Sequence, residues 1–177
     1  ETVITGITAP VALSQPDIQA DCSGIGVSGI KSISWDLEEG QTAFTYNKVY
    51  TVSIVLNPAE EYQFSRDTSV TIDGIRADNV VVNEDQTLTV TLRYTKTGKE
   101  PQGVPEAVTG ENTSFAGEQD GKLVNVDASM EYRPEGGQKY TSCQKTEVSG
   151  LAAGNYYVRY QETDTKLAGP EKKITIG

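Results

Sequence analysis

The chain has 177 residues, of which 36% are hydrophobic, and it carries 15 basic against 25 acidic side chains. Its net charge of −10 disfavours binding to nucleic acid or to an anionic membrane surface, so we expect neither partner, and it favours a soluble monomer. The chain has no histidine, which is the usual general base and the commonest metal ligand. We therefore expect that it is not an enzyme and that it holds no cofactor.

The first half begins with three short candidate strands separated by Gly, Pro and Ser: Val3 to Thr8, Ile18 to Cys22 and Ile30 to Trp35. Residues 49–56 then alternate, which is the pattern of a strand with one buried face. The side chains expected to face the core are Tyr50, Val52, Ile54 and Leu56. Trp35 is expected on an inner face, as an anchor of the same core.

Further strands complete the first half. Asp73 and Gly74 form a dipeptide that suits a tight hairpin turn between segments 70–72 and 75–77. Residues 80–82 form the next candidate, and residues 87–94 alternate again. The inward side chains of this last strand are Leu88, Val90, Leu92 and Tyr94. About seven strands at this spacing predict an immunoglobulin-like sandwich over residues 1–95.

Residues 96–105 lack an apolar period and contain two Pro and two Gly, which predicts a linker. In residues 106–177 the candidate strands are Lys122 to Val126, Met130 to Arg133, Lys139 to Cys143, Tyr156 to Gln161 and Lys172 to Ile176. These predict a second, smaller β-sandwich. The expected fold is therefore all-β, with two small immunoglobulin-like or fibronectin type III-like domains in tandem.

The two halves differ in charge, and each contains one cysteine. Residues 1–95 carry 5 basic and 13 acidic side chains, whereas residues 96–177 carry 10 and 12, so the acidity belongs to the first half. Cys22 and Cys143 fall in different halves, and we expect two buried free thiols rather than a disulfide. A chain that starts Glu-Thr-Val is expected to be a segment of a longer protein.

Two stretches resemble a known kind of repeat. The segment from Tyr50 to Gly74 resembles the immunoglobulin-like repeats of large surface and secreted proteins of Gram-positive bacteria. Met130-Glu-Tyr132 and the segment from Gly150 to Tyr160 resemble another repeat of the same proteins. The resemblance implies an extracellular, wall-associated location in which such modules act as spacers, and it brings no catalytic residues. The chain departs from these repeats at Asp21-Cys22-Ser23, which leaves the path of the second strand open.

Three groups of residues suggest possible sites, although each group also suits an ordinary surface role. Asp36, Glu38 and Glu39 lie close together and would suit a glycosidase, but acids before a Gly favour a solvated turn. Oxygen ligands on loops would suit Ca²⁺, and the candidates are Asp73, Asp78, Asn83, Glu84 and Asp85, although none has EF-hand spacing. Exposed rings would stack on sugars, and the candidates are Tyr46, Tyr62, Tyr132 and Tyr140.

Glu162 follows Tyr156, Val158 and Tyr160 at the same parity, which resembles the late strand of pilin-type modules with an internal isopeptide bond. By parity Glu162 is expected to face the core. The final strand offers no Asn or Asp acceptor, however, so this bond is not expected.

The preferred function is a non-catalytic spacer of a bacterial cell-surface or secreted protein, with neighbouring modules as its partners. The alternative is a carbohydrate-binding module for polysaccharide or host glycan, attached to a glycan-degrading enzyme or adhesin. A third class, a self-associating surface-layer subunit, would need a long unpaired sheet edge.

Overall fold

The computed structural model describes residues 1–177 and contains strands but no helix, which confirms the expected all-β fold class. The chain divides into two compact units, unit 1 from Glu1 to Gly98 and unit 2 from Lys99 to Gly177. This division falls inside the predicted linker, residues 96–105.

Unit 1 contains eight strands, which are β1 Thr2–Thr5, β2 Asp21–Ser23, β3 Val27–Trp35, β4 Thr51–Pro58, β5 Val70–Ile72, β6 Ile75–Arg76, β7 Asn79–Val82 and β8 Leu88–Arg93. They form two four-stranded sheets in the orders β2-β1-β5-β6 and β3-β4-β8-β7. All pairs are antiparallel except β1 with β5, which are parallel.

Unit 2 contains seven strands, which are β9 Thr109–Glu111, β10 Gly121–Val124, β11 Met130–Pro134, β12 Thr141–Ser142, β13 Glu147–Leu151, β14 Gly154–Tyr160 and β15 Lys172–Ile176. One sheet has the order β13-β10-β9 and the other has the order β12-β11-β14-β15. Every pair in this unit is antiparallel.

The core of unit 1 follows from the alternation along two central strands. The predicted inward side chains of residues 50–56 and 88–94 are all buried, because both strands lie inside one sheet and face the other. Trp35 packs against this core, with its ring 5.0 Å from Phe44 and 5.7 Å from Tyr94 between centroids. Its indole Nε1 donates to the carbonyl of Asp17 at 2.8 Å, so its polar atom is satisfied.

Unit 2 has its own core, formed by Val108, Leu123, Val126, Met130, Cys143, Leu151, Tyr156, Val158, Ile174 and Ile176. Most of these side chains come from the two sheets of the unit, and Val108, Val126 and Cys143 come from the segments that flank the strands. Gly110 on β9 lies directly against β15, because a Cβ atom there would come within 2.8 Å of Ile174 Cγ2. A glycine therefore allows these two strands, which belong to different sheets, to approach closely.

Several features of the strands and thiols differ from the expectations. Strands β9 and β13 were not predicted, because most of their side chains are exposed. The second strand begins only at Asp21, so Ile18 lies outside the sheet. Cys22 is half-buried rather than buried, since it lies on an edge strand, whereas Cys143 is buried.

Candidate functional site

The predicted calcium ligands of the β5–β6 and β6–β7 turns bind backbone amides. The Asp73 carboxylate accepts hydrogen bonds from the amides of Gly6 at 3.0 Å and Ile7 at 2.7 Å. The Asp78 carboxylate accepts from the Arg93 amide at 2.7 Å. Each carboxylate thus closes a turn onto a neighbouring strand.

The remaining calcium candidates lie in the turn between β7 and β8. Asp85 accepts from Lys31 Nζ at 2.7 Å and from the Thr87 hydroxyl at 2.5 Å, and these hydrogen bonds lower the pKa of Asp85 to about 2. The amide nitrogen of Asn83 donates to the hydroxyl of Thr87 at 2.9 Å, while Glu84 is exposed. No group of three or more acidic or cysteine side chains in the chain converges in a way that would hold a metal ion.

The three acids after β3 also act within the local fold. Asp36 accepts from the Thr51 amide at 2.7 Å, and Glu38 forms an ion pair with Lys48. Glu39 is exposed. This arrangement fixes the end of β3 against the start of β4.

The four tyrosines considered for sugar stacking are not brought together. In unit 1, Tyr62 is 39% exposed and its ring lies over Gly26 at one end of the sandwich. Tyr46 is half-buried at the other end, beside Thr45, whose carbonyl accepts from the Thr97 hydroxyl. The two rings therefore cannot line one binding face.

In unit 2 the two tyrosines lie on opposite faces of one sheet. Tyr132 on β11 packs against the core, and burial raises the pKa of its hydroxyl. Tyr140 is half-buried near the outer face, and the guanidinium of Arg159 lies 3.7 Å from its ring centroid. One face of Tyr140 is thus already occupied by a cation.

Tyr140 belongs to a cluster of rings and guanidinium groups on the outer face of the β12-β11-β14-β15 sheet. Arg133 lies 4.6 Å from the ring centroid of Tyr157 and forms two hydrogen bonds to Glu171, at 2.7 and 3.0 Å. The hydrogen bonds from Arg133 are the main cause of the lowered pKa of Glu171. Because the pair is bidentate, it fixes the position of the guanidinium.

Sequence reasoning did not select Arg133 or Arg159. The alternation of side chains along β11 could have indicated their position. Glu131 and Arg133 face the side of the sheet opposite to the core residue Met130. Arg159 on β14 lies opposite Glu131 in the register and donates to it at 2.8 Å. Glu162, expected to face the core, is exposed and pairs with Lys99, because β14 ends at Tyr160.

We call the two ends of each sandwich, along the direction of its strands, its poles. The first residues of unit 1 lie at the pole where β4 ends. A Cβ atom at Gly24 would lie 2.9 Å from the Cα of Thr2, so β1 begins beside the turn between β2 and β3. In that turn the carbonyl of Gly26 accepts from the amide of Ala59 at 2.8 Å. Ala59 directly follows β4, and the start of β1 and the end of β4 therefore share one pole.

The chain leaves unit 1 at the other pole. Leu88, the first residue of β8, pairs with Leu56 near the end of β4, so β8 starts at the entry pole and runs away from it. Beyond β8, the amide of Tyr94 donates to Tyr50 at 2.9 Å and that of Thr97 donates to Lys48, just before β4 begins. Entry and exit are thus separated by the length of the sandwich.

In unit 2 the chain also enters and leaves at opposite poles. Near the entry of the unit, the carbonyl of Glu100 accepts from Leu167 at 2.9 Å, and Gly169 donates to Tyr160, where β14 ends. Strand β15 runs antiparallel to β14 and ends at Ile176, opposite the first residue of β14. The chain therefore also crosses unit 2 from one pole to the other.

No protein-family model, curated protein or solved structure matches the chain. The structure contains no helix with the length and apolar character needed to cross a membrane.

Proposed function

We propose that the chain is a non-catalytic spacer within a larger bacterial cell-surface or secreted protein, and that its units are immunoglobulin-like modules of the extracellular space. The observation that carries this proposal is the path of the chain, which enters each unit at one pole and leaves at the opposite pole. A module that is crossed in this way adds its own length to the protein, whereas one with adjacent ends would form a side branch.

The length gained by each unit follows from its central strands. Strand β4 has eight residues and β14 has seven, and a strand rises by about 3.3 Å per residue. Each unit therefore extends the chain by about 25 Å. Asp36, Asp73 and Asp78 support the same function, because their carboxylates accept hydrogen bonds from backbone amides within the fold.

The experiment that tests the proposal is a glycan-array screen of the intact chain, carried out with Ca²⁺ and again with a chelator. A spacer is expected to give no saturable binding in either condition. Saturable binding to polysaccharide or host glycan that is lost in Tyr62→Ala or Tyr140→Ala would overturn the proposal and favour a carbohydrate-binding module. If that binding required Ca²⁺, the acidic turns would form part of its site.

A further inference from the structure

Unit 1 has an open groove along one side, between the segment 18–21 and the edge strand β3. Ile18, Ala20, Ile30 and Ile33 line it together with polar residues, and its volume is about 520 Å³. We name it the edge groove. Ile18 is 73% exposed, although it faces a depression that other apolar side chains also line.

The two walls of the edge groove carry unpaired backbone groups. Strand β3 is the last strand of its sheet, so its backbone groups that point away from β4 have no partner strand. The backbone groups of Ile18 and Gln19 on the opposite wall form no hydrogen bond with other backbone groups. An extended chain lying between the walls would meet donors and acceptors on both sides.

The floor of the edge groove is the margin of the hydrophobic core. Ala20, Ile30 and Ile33 are only partly buried, yet all three pack against the core cluster of unit 1. The sandwich is therefore open to solvent along this side. An added strand with apolar side chains at alternate positions would cover these residues and extend the core.

The charge of the groove favours one kind of strand. Its two charged lining residues are Lys31, which is paired with Asp85 at 2.7 Å, and Asp21, which has no ion-pair partner. Residues 1–95, which include the groove, carry 5 basic against 13 acidic side chains. A basic side chain placed beside Asp21 would therefore be attracted, and an acidic one would be repelled.

We infer that the edge groove binds an extended peptide segment of a partner protein, which adds as a strand beside β3. The segment has apolar side chains at alternate positions that contact Ile18, Ile30 and Ile33, and a Lys or Arg beside Asp21. This is a binding function in addition to the proposed spacer role, and it does not depend on that role.

The test uses the full chain and an array of capped heptapeptides in which Val alternates with Thr, with Lys, Gln or Glu at one end. Trp35 is the single tryptophan and contacts Asp17, next to the groove, so its fluorescence reports binding. We expect saturable binding of the Lys peptide, about two- to fivefold tighter than the Gln peptide, because an exposed ion pair contributes modestly. The same peptide methylated on alternate backbone nitrogens should not bind, since it cannot add as a strand.

A matched pair of variants separates the groove from the rest of the surface. Ile18→Asp removes an apolar contact and should weaken binding about tenfold or more. Val11→Asp is the control, because Val11 is 64% exposed in the same unit and does not line the groove. Both side chains are exposed, so both variants should keep the far-ultraviolet circular dichroism of the parent chain.

The inference is wrong if no peptide of the array binds, if the methylated peptide binds as well as its parent, or if both variants bind equally. A Glu peptide that binds more tightly than the Lys peptide would contradict the role of Asp21. Self-association of the chain that Ile18→Asp abolishes would show that a second copy occupies the edge groove. That result would also overturn the inference of a partner peptide.

Discussion

Tyr94 stacks on Trp35 at a centroid distance of 5.7 Å, yet its hydroxyl oxygen is buried without a hydrogen-bond partner. Burial is the main reason that the pKa of this hydroxyl is raised to about 12, with the charges of Asp73 and Asp17 adding to it. Tyr50, also in the unit 1 core, is different. Its hydroxyl oxygen lies 2.7 Å from the amide nitrogen of Gln41 and accepts from the Thr45 amide at 3.0 Å.

We predict opposite changes in the free energy of unfolding when each of these two tyrosines is replaced by phenylalanine. Tyr94→Phe removes a buried polar atom that has no partner and should increase the free energy of unfolding by about 1 kcal/mol. Tyr50→Phe leaves donors without their acceptor and should decrease it by about 1 to 2 kcal/mol. Urea denaturation of both variants checks this. A loss of stability in Tyr94→Phe would show that its hydroxyl is satisfied in solution.

The carboxylate of Asp73 should stabilise unit 1 through the amides at the end of β1. Asp73→Asn keeps a side chain that tolerates the positive φ of 47° but loses the charge and one acceptor oxygen. We expect a loss of about 1 kcal/mol, measured by denaturant unfolding. Glu84→Gln is the control, because Glu84 is exposed in another turn and should give no measurable change. Equal effects of the two substitutions would contradict this role for Asp73.

Stability at acid pH should depend on Asp85. Its pKa is lowered to about 2 in the folded state from an ordinary value of 3.8. The unfolded chain therefore binds a proton first, and this contribution is fully present above about pH 4 and is lost as the pH falls towards 2. Denaturant midpoints measured from pH 2 to 5 should fall less steeply in Asp85→Asn than in the parent chain. Identical slopes would mean that the hydrogen bonds of Asp85 with Lys31 and Thr87 do not lower its pKa in solution.

The two thiols should react at different rates in the native protein. Cys143 is 1% exposed, and burial raises its pKa to about 11, with Asp127 and Glu131 adding to the effect. Cys22 is half-buried on an edge strand, so a thiol reagent should label it first. Mass spectrometry of tryptic peptides after short labelling checks this order. Faster labelling of Cys143 would contradict the burial of its side chain.

Sequence patterns predicted the central strands well, because alternation there matches burial on one face of a sheet. Strands β4 and β8 are the clearest cases, and every side chain predicted to face inward on them is buried. The Asp73-Gly74 turn was also predicted, since its two residues adopt the positive φ angles for which that dipeptide is suited.

The remaining features depend on contacts that are distant in the chain. Strand β9 has the sequence Thr-Gly-Glu and contains no apolar side chain, and its glycine is explained only by β15 beneath it. Likewise, the ring of Tyr140 is paired with Arg159, which lies 19 residues further along the chain. Neither relationship leaves a local pattern, so strand β9 and the contact between Tyr140 and Arg159 could not be predicted from sequence.

The spacer proposal is tested most directly by the distance between the two ends of each unit in the intact chain. Spin labels at Glu1→Cys and Lys96→Cys for unit 1, and at Glu100→Cys and Gly177→Cys for unit 2, would be placed in a Cys22→Ser, Cys143→Ala background. Electron–electron dipolar spectroscopy should give a narrow distribution centred at about 25 Å or more for each pair, as the strand lengths require. A distance of about 10 Å in either unit would place its entry and exit side by side and contradict the proposal.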